Sequence, residues 1–430
     1  MTDDITVLRK RGGGFRAAAH SVFAARLKMK FTAHYRRVSG KPAPSGFTMT
    51  LHERIGDVPH DVWNGCNRKH DVFLSTEYLA AVEETPPHNM RFRYAVFSDA
   101  SGPAGIAYYQ LVTVNPNMHQ PAVFQYQRKK QSVADKVHEA MAGAASVRFL
   151  FCGNAMLSGE HGYSFAEGVS GALALTAVVE AAYRIRSSSD VPVNVTIVKD
   201  FYDRTAHDGD MLRQYGFYSF DAGPNMAVPV DPAWNTFDDY VKCMKPKYRR
   251  RVNGVIAKGR CMERRTLDLE ALTARQDVLH ALYGDVADKA RFRLFTLPPA
   301  YFTALKKHLG DRFVCDIYTH ENSVLGFTTR IINGDETEGY AHGLDYEQNK
   351  TYELYQNILL DDIRAGISSR IARINTGRTS AAMKSSFGAV PDEMKCYIRF
   401  SGRISNQVLK LLFSHFRPSR EFVRNPFGDE

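Results

Sequence analysis

Paired cysteines are missing from this chain. Its six cysteines, Cys66, Cys152, Cys243, Cys261, Cys315 and Cys396, are scattered singly, with no CxxC pair and no His/Cys cluster at ligand spacing. That excludes a zinc-finger ligand set and a disulfide framework, so no metal is expected and the thiols read as reduced, mostly core residues. Long apolar runs are also missing: nothing approaches the roughly 18 residues a spanning helix needs. The richest run, Ala172 to Ala182, is broken by Thr176 and Glu180 and reads as a buried helix. The first residues lack the apolar block and cleavage site of a secretory signal. Acidic residues are absent between Asp4 and Glu53, where Arg9, Lys10, Arg11, Arg16, Arg26, Lys28, Lys30, Arg36, Arg37 and Lys41 accumulate.

With 430 residues the chain exceeds one ordinary core, so two domains of similar size plus tails are expected. A composition of 44% apolar and 24% charged residues is that of a globular protein. The net charge of +10 favours anionic partners such as nucleotide cofactors, RNA or anionic lipid, although a merely basic surface fits the charge equally well. Residues 1–55 read as a basic tail, in which Phe15, Ala19, Val22, Phe23 and Leu27 fall at helical spacing. Residues 401–430 form a second basic amphipathic segment carrying Ile404, Val408, Leu411, Leu412 and Phe416. Such ends suit either a solvated or docked segment or peripheral contact with an anionic membrane.

Between the tails, period-2 and period-3.6 patterns alternate. In each half a hairpin is followed by a strand, a long helix, another strand, a short helix, a glycine and a final strand; Tyr215-Gly216-Phe217 corresponds to Phe387-Gly388-Ala389. This pseudo-repeat predicts an α/β fold of two like domains, 56–235 and 236–400, each a mixed central sheet flanked by helices. Glu338 to Pro391 stands out as a strand, polar turn, amphipathic helix and second strand ending in Thr376-Gly377-Arg378, an arrangement that gathers helix N–H groups and strand ends around one ligand. The polar loop Cys152–Gly162 lacks the Gly-Lys-Ser/Thr ending of a P-loop. In the helix from Pro246, Lys247, Arg250, Arg251 and Lys258 share one stripe and read as a solvated face, while Arg249 and Asn253 fall on the more apolar side as ligand or ion-pair candidates.

Trp63, the run Phe73-Leu74-Ser75-Thr76-Glu77-Tyr78-Leu79, Phe237-Asp238-Asp239-Tyr240 and Lys247-Tyr248-Arg249-Arg250-Arg251-Val252-Asn253 together resemble the tandem GNAT-fold acyltransferases, the Fem-like and envelope- or cellulose-associated N-acyltransferases. The resemblance spans roughly Trp63 to Phe400. It implies transfer of an acyl group to an amine in a ternary complex. The donor would be acyl-CoA or an acyl carrier protein as co-substrate, with no tightly bound cofactor, or aminoacyl-tRNA in the Fem branch. The acceptor would be a small-molecule, lipid or envelope-precursor amine met in the cytoplasm or at the inner face of the membrane. A catalytically silent membrane scaffold is the non-enzymatic alternative.

On that reading the donor phosphates rest on the N–H groups of Asn349, Lys350 and Thr351 at a helix starting near Lys350, beside Tyr355. The Gln/Arg-x-x-Gly-x-Gly/Ala loop of the family is missing, which counts against free acetyl-CoA. His342 and Asp345 are candidates to take the amine's proton; a bulge at Gly343 would bring both to one face of the strand. Tyr352 or Tyr355 could return a proton to the leaving group. Packing of Tyr355 in a stripe with Ile358, Leu359, Ile363 and Ile367, and a simple capping role for Asp345, are the bland alternatives. Arg378 and Lys384 at a strand end, and Asn154, Glu160 and His161 in the first domain's loop, are the substrate-binding candidates. Cys315 has no paired His nearby in sequence, so no acyl-enzyme is expected.

Overall fold

The computed structural model describes residues 41–114, 146–188, 192–289, 293–402 and 422–428. Most of the basic N-terminal tail and nearly all of the basic C-terminal segment, including its amphipathic stripe, lie outside the described residues.

The apolar runs form the strands the alternation predicts. In chain order they are β1 (Thr48–His52), β2 (Met90–Asp99), β3 (Gly102–Val114), β4 (Val147–Cys152), β5 (Tyr163–Phe165), β6 (Val195–Tyr202), β7 (Tyr218–Asp221) and β8 (Asn225–Pro229). The second half adds β9 (Glu263–Thr266), β10 (Phe313–His320), β11 (Ser323–Asn333), β12 (Glu336–Leu344), β13 (Arg373–Gly377), β14 (Val390–Asp392) and β15 (Met394–Phe400). Among the described residues they make two mixed sheets flanked by helices, the α/β arrangement the pseudo-repeat predicts. One runs β1-β2-β3-β4-β6-β15-β7 with β5 on β3; the other runs β14-β8-β13-β12-β11-β10-β9. The parallel pairs, β4 with β6 and β12 with β13, occupy matching places.

Each sheet borrows a strand from the other half. β8, from residues expected in the first domain, lies between β13 and β14, and the last strand, β15, lies between β6 and β7. The strands therefore do not divide at residue 235. Either half alone would leave a row of unpaired backbone groups in the middle of its sheet, a cost too large for a marginally stable domain.

Local signals explain the helix ends. Thr236 and Asp239 form a reciprocal capping box, and Pro246 opens the next helix, Pro246–Gly259, where its missing N–H costs nothing. The β10–β11 hairpin turns on Glu321 and Asn322, both at positive φ, as a tight two-residue turn requires. The helix Leu354–Ser368 buries Leu354, Ile358, Leu359, Ile363 and Ile367, each worth roughly 1.5–3 kcal/mol on leaving water. The opposite face of β12 is covered by the helix Gln276–Asp288. Packing is so close that a Cβ at Gly343 would lie 2.4 Å from Phe327 and 2.7 Å from the backbone of Leu282. The two halves share one core: Trp63, Phe73 and Tyr78 join the same apolar cluster as Tyr301, Phe302, Phe313 and Phe327.

Candidate active site

β12 departs from regularity on both edges. Against β11 its register passes from Arg330 opposite Gly339 to Thr329 opposite Ala341, so Tyr340 is an extra residue. The Thr329 hydroxyl fills the interruption, donating to the Ala341 carbonyl and accepting from its N–H, both at 3.0 Å. The bulge expected at Gly343 thus lies three residues earlier; Gly343 stays in regular register and owes its identity to the close packing described above. The Tyr340 ring stacks on Tyr301, and its hydroxyl bonds those of Tyr301 and Tyr78, the latter at 3.0 Å, pinning the bulge to the first domain. A bulge resets the alternation of faces. Thr337 and Gly339 before it and His342 after it consequently line one cavity.

On its other edge β12 pairs with β13 only through Glu336, Thr337 and Glu338. Beyond Glu338 the two parallel strands part, and a cavity of about 40 Å³ opens on the side covered by the helix Leu354–Ser368. His342, Tyr355, Asp362, Arg330, Thr328 and Thr376 are among its walls. The His342 ring lies 5.2 Å from that of Tyr355. Burial, reinforced by the Lys384 ammonium, lowers its pKa to about 4, so the imidazole is neutral at pH 7. Lys384 is itself buried and donates to the carbonyls of Thr376 and Gly377, holding the end of β13. Burial also pushes the Asp362 carboxyl up to about 7, against the pull of Arg330, whose guanidinium is 3.4 Å away.

The face of β12 toward the first domain carries a buried carboxyl at the point where the strands part. Glu338 is 5% exposed, and burial raises its pKa to about 8; His161 opposes the rise, while Glu336 and Asp71 add to it. His161 Nδ1 donates to Asp71 Oδ2, 2.7 Å away. Arg378 reaches from the end of β13 to pair with Asp200 of the first domain. Asp200 is fully buried at positive φ, and although burial opposes ionisation, Arg378 and Lys199 outweigh it and hold the carboxylate charged. Two predicted residues, His161 and Arg378, therefore stand at the interdomain face, each paired with a carboxylate of the first domain, and three more, His342, Tyr355 and Lys384, stand at or beside the cavity.

The other candidates are engaged elsewhere. Asp345 accepts from the N–H groups of Glu347 and Gln348, capping the short helix Tyr346–Tyr352, so its carboxylate and His342 do not form a pair. The helix expected from Lys350 is broken: Asn349, Lys350 and Thr351 end that short helix, Glu353 turns at positive φ, and the long helix starts at Leu354. The Asn349 side chain accepts from Tyr355 N at 2.8 Å, so that N–H is not free, and Glu353 pairs with Lys258 at 2.6 Å. Tyr352 packs against His320, away from the cavity. Arg249 is exposed and binds the carbonyls of Lys242 and Met244, tying two helices together, while Asn253 is exposed. Asn154 donates to Tyr78 and orders its own loop; Glu160 accepts from Thr205 and from Tyr202 N. Among the described residues no group of His, Cys, Asp and Glu could hold a metal ion.

Glu338, Asp71, Asp200 and Asp362 were not singled out from sequence. For Glu338 a signal existed: Glu336 and Glu338 alternate with small and apolar residues in a strand with neighbours on both sides, and carboxylates are rarely buried there without a purpose.

No family model and no curated protein matches this sequence. Solved structures do. FemX superposes with a TM-score of 0.50 at 12% identity, over 86% of this chain and 100% of its own. A tandem GNAT protein from the clavulanic acid biosynthesis pathway superposes with a TM-score of 0.48 at 9% identity, over 83% and 99%. The likeness to FemX is one of fold. Among the described residues, no helix is long and apolar enough to cross a membrane.

Proposed function

We propose that the chain is an N-acyltransferase that joins an acyl group from a thioester donor, acyl-CoA or an acyl carrier protein, to an amine by direct attack. The observation behind this reading is the parting of β12 and β13 at Glu338, with a cavity on one face of the gap and a buried carboxyl on the other. The donor's carbonyl would enter from the cavity side and the amine from the interdomain side. An alkyl ammonium loses its proton near pH 10, so a base tuned close to neutrality is needed. Glu338, at about 8, fits that need; His342, at about 4, is the weaker base. As the C–N bond forms and the C–S bond breaks, the amine's proton passes to Glu338 and on to solvent, the leaving thiolate is protonated from solvent, and Tyr355, whose hydroxyl burial keeps protonated, can only offer it a hydrogen bond. Buried Cys315, its thiol pushed up to about 12, is unsuited to carry the acyl group.

Aminoacyl-tRNA is the second donor reading. It is supported by the exposed cations Lys247, Arg250 and Arg251 on the helix Pro246–Gly259, in a stretch from Tyr240 to Met262 without an acidic residue. Either reaction belongs in the cytoplasm or at the membrane's inner face. Purified protein screened against acyl-CoAs, acyl carrier proteins and aminoacyl-tRNA, by thermal shift and product mass, tests the proposal. Stabilisation by one donor and an amide product are expected; no stabilisation by any would favour the scaffold.

A further inference from the structure

β13 is irregular where it leaves β12. Against β8 its register passes from Asn375 opposite Ala227 to Gly377 opposite Met226, so Thr376 is an extra residue, and the Thr376 hydroxyl donates to the Met226 carbonyl at 2.8 Å. Gly377 follows at φ +79, a conformation that favours glycine. Ile374 and Thr376 line the cavity, and regular alternation would send Arg378 the same way; the bulge turns it instead to Asp200 of the first domain. The charges there do not balance. Asp200 Oδ2 accepts from Lys199 Nζ at 2.8 Å and from Gly159 N at 3.1 Å, and Oδ1 accepts from Arg378 Nη2 and from Cys396 Sγ at 3.1 Å, so both oxygens are occupied. Two cations share this one carboxylate, and neither has another ion pair among the described residues. The Lys199 side chain is 9% exposed and also donates to the Leu157 carbonyl at 3.2 Å. The Arg378 side chain is 29% exposed, and among the described residues only its Nη2 has a partner; Nε has none. A guanidinium carries five N–H donors in one plane, so the surplus charge and the surplus donors fall on the same side chain.

We propose that Arg378 is a specificity-determining residue that holds a carboxylate of the acceptor, so that the amine acylated at the gap belongs to an amino acid or peptide rather than to a plain alkylamine. This rests on the reading of the interdomain side as the amine's entrance. One unit of surplus charge matches one carboxylate, whereas a phosphate monoester brings about 1.5–2 negative charges at neutral pH. A planar carboxylate also fits the guanidinium fork through parallel hydrogen bonds. Glu338 pairs with Asn375, three residues before Arg378, which sets the two backbone positions at most about 10 Å apart along the strand. An ω-amino acid with a few methylenes can bridge such a span when both side chains reach toward it.

The test uses the full chain and amines matched in length: ε-aminocaproate with hexylamine, β-alanine with propylamine, and phosphoethanolamine as the phosphate arm. The Arg378 Nε–H signal, assigned by NMR through its side-chain connectivities, should move and saturate with an amino carboxylate and stay in place with the alkylamines. In an acyl-transfer assay the wild type should prefer the carboxylate member of at least one pair by tenfold or more in kcat/KM, chiefly through KM. Arg378→Lys keeps a cation beside Asp200 but loses the fork, and should shrink that ratio toward one, which a merely structural role would not do. A signal unmoved by both amino carboxylates, a response to phosphoethanolamine alone, or a preference that survives Arg378→Lys overturns the proposal. The wild-type titration decides even if Arg378→Lys does not fold. A saturating shift without acyl transfer from any donor would uphold the carboxylate site and count against the functional reading; acyl transfer without preference for a carboxylate would do the reverse.

Discussion

Replacing Glu338 with Gln should stabilise the protein, and increasingly so as the pH rises. The carboxyl titrates near 4.5 in the unfolded chain and at about 8 in the folded one, chiefly because it is buried. At about 1.4 kcal/mol per pH unit the difference amounts to about 5 kcal/mol as an upper figure. The sign follows from proton counting. Between pH 4.5 and 8 the folded state holds a proton that the unfolded state has lost, so stability falls as pH rises across that window and levels off above it. Gln has no such slope and keeps the shape. Urea unfolding of wild type and Glu338→Gln at pH 5, 7 and 9 should therefore show little difference at pH 5 and a gain of several kcal/mol for the variant at pH 9. Parallel stabilities at all three pH values would mean that Glu338 is not held in a desolvated site.

Gly159→Ala should cost about 1–3 kcal/mol, since it combines a left-handed φ with a Cβ pressed on the His161 ring, read as a lowered urea midpoint. Asp345→Ala should cost about 1 kcal/mol as a lost cap and leave turnover within a few fold; a loss of turnover larger than a hundredfold with the fold retained would restore it as a catalytic candidate. Lys384→Met should raise the His342 titration from about 4 toward, but not up to, the ordinary 6.5, because burial remains as the larger cause; an NMR titration unchanged by the substitution would contradict that assignment.

Much of the fold was legible because it depends on short-range patterns. The hairpin at Glu321 and Asn322, the cap at Thr236 and the apolar stripe from Leu354 to Ile367 are all written in neighbouring residues. What was not legible depends on partners far along the chain. β8 and β15 carry the same alternation whichever sheet they join, so their exchange leaves no local trace. The bulge could not be placed by spacing, because its position is decided by Thr329 on the neighbouring strand and by Tyr78 and Tyr301 across the domain interface. His342 was found by its place on the strand, but its neutral, weakly basic state comes from burial and, secondarily, from Lys384. Glu338 escaped notice because its neighbours His161 and Asp71 lie 177 and 267 residues away in sequence.

The central claim is that an amine is acylated at the gap between β12 and β13 with Glu338 as base. Its most direct test is single-turnover amide formation, followed by product mass, from whichever donor stabilises the protein, in wild type and Glu338→Gln. A rate that rises in wild type through about pH 8, and falls by roughly 10²–10⁴ in a variant that remains folded, is the predicted result. Equal rates in the two proteins, with the same pH dependence, would contradict it.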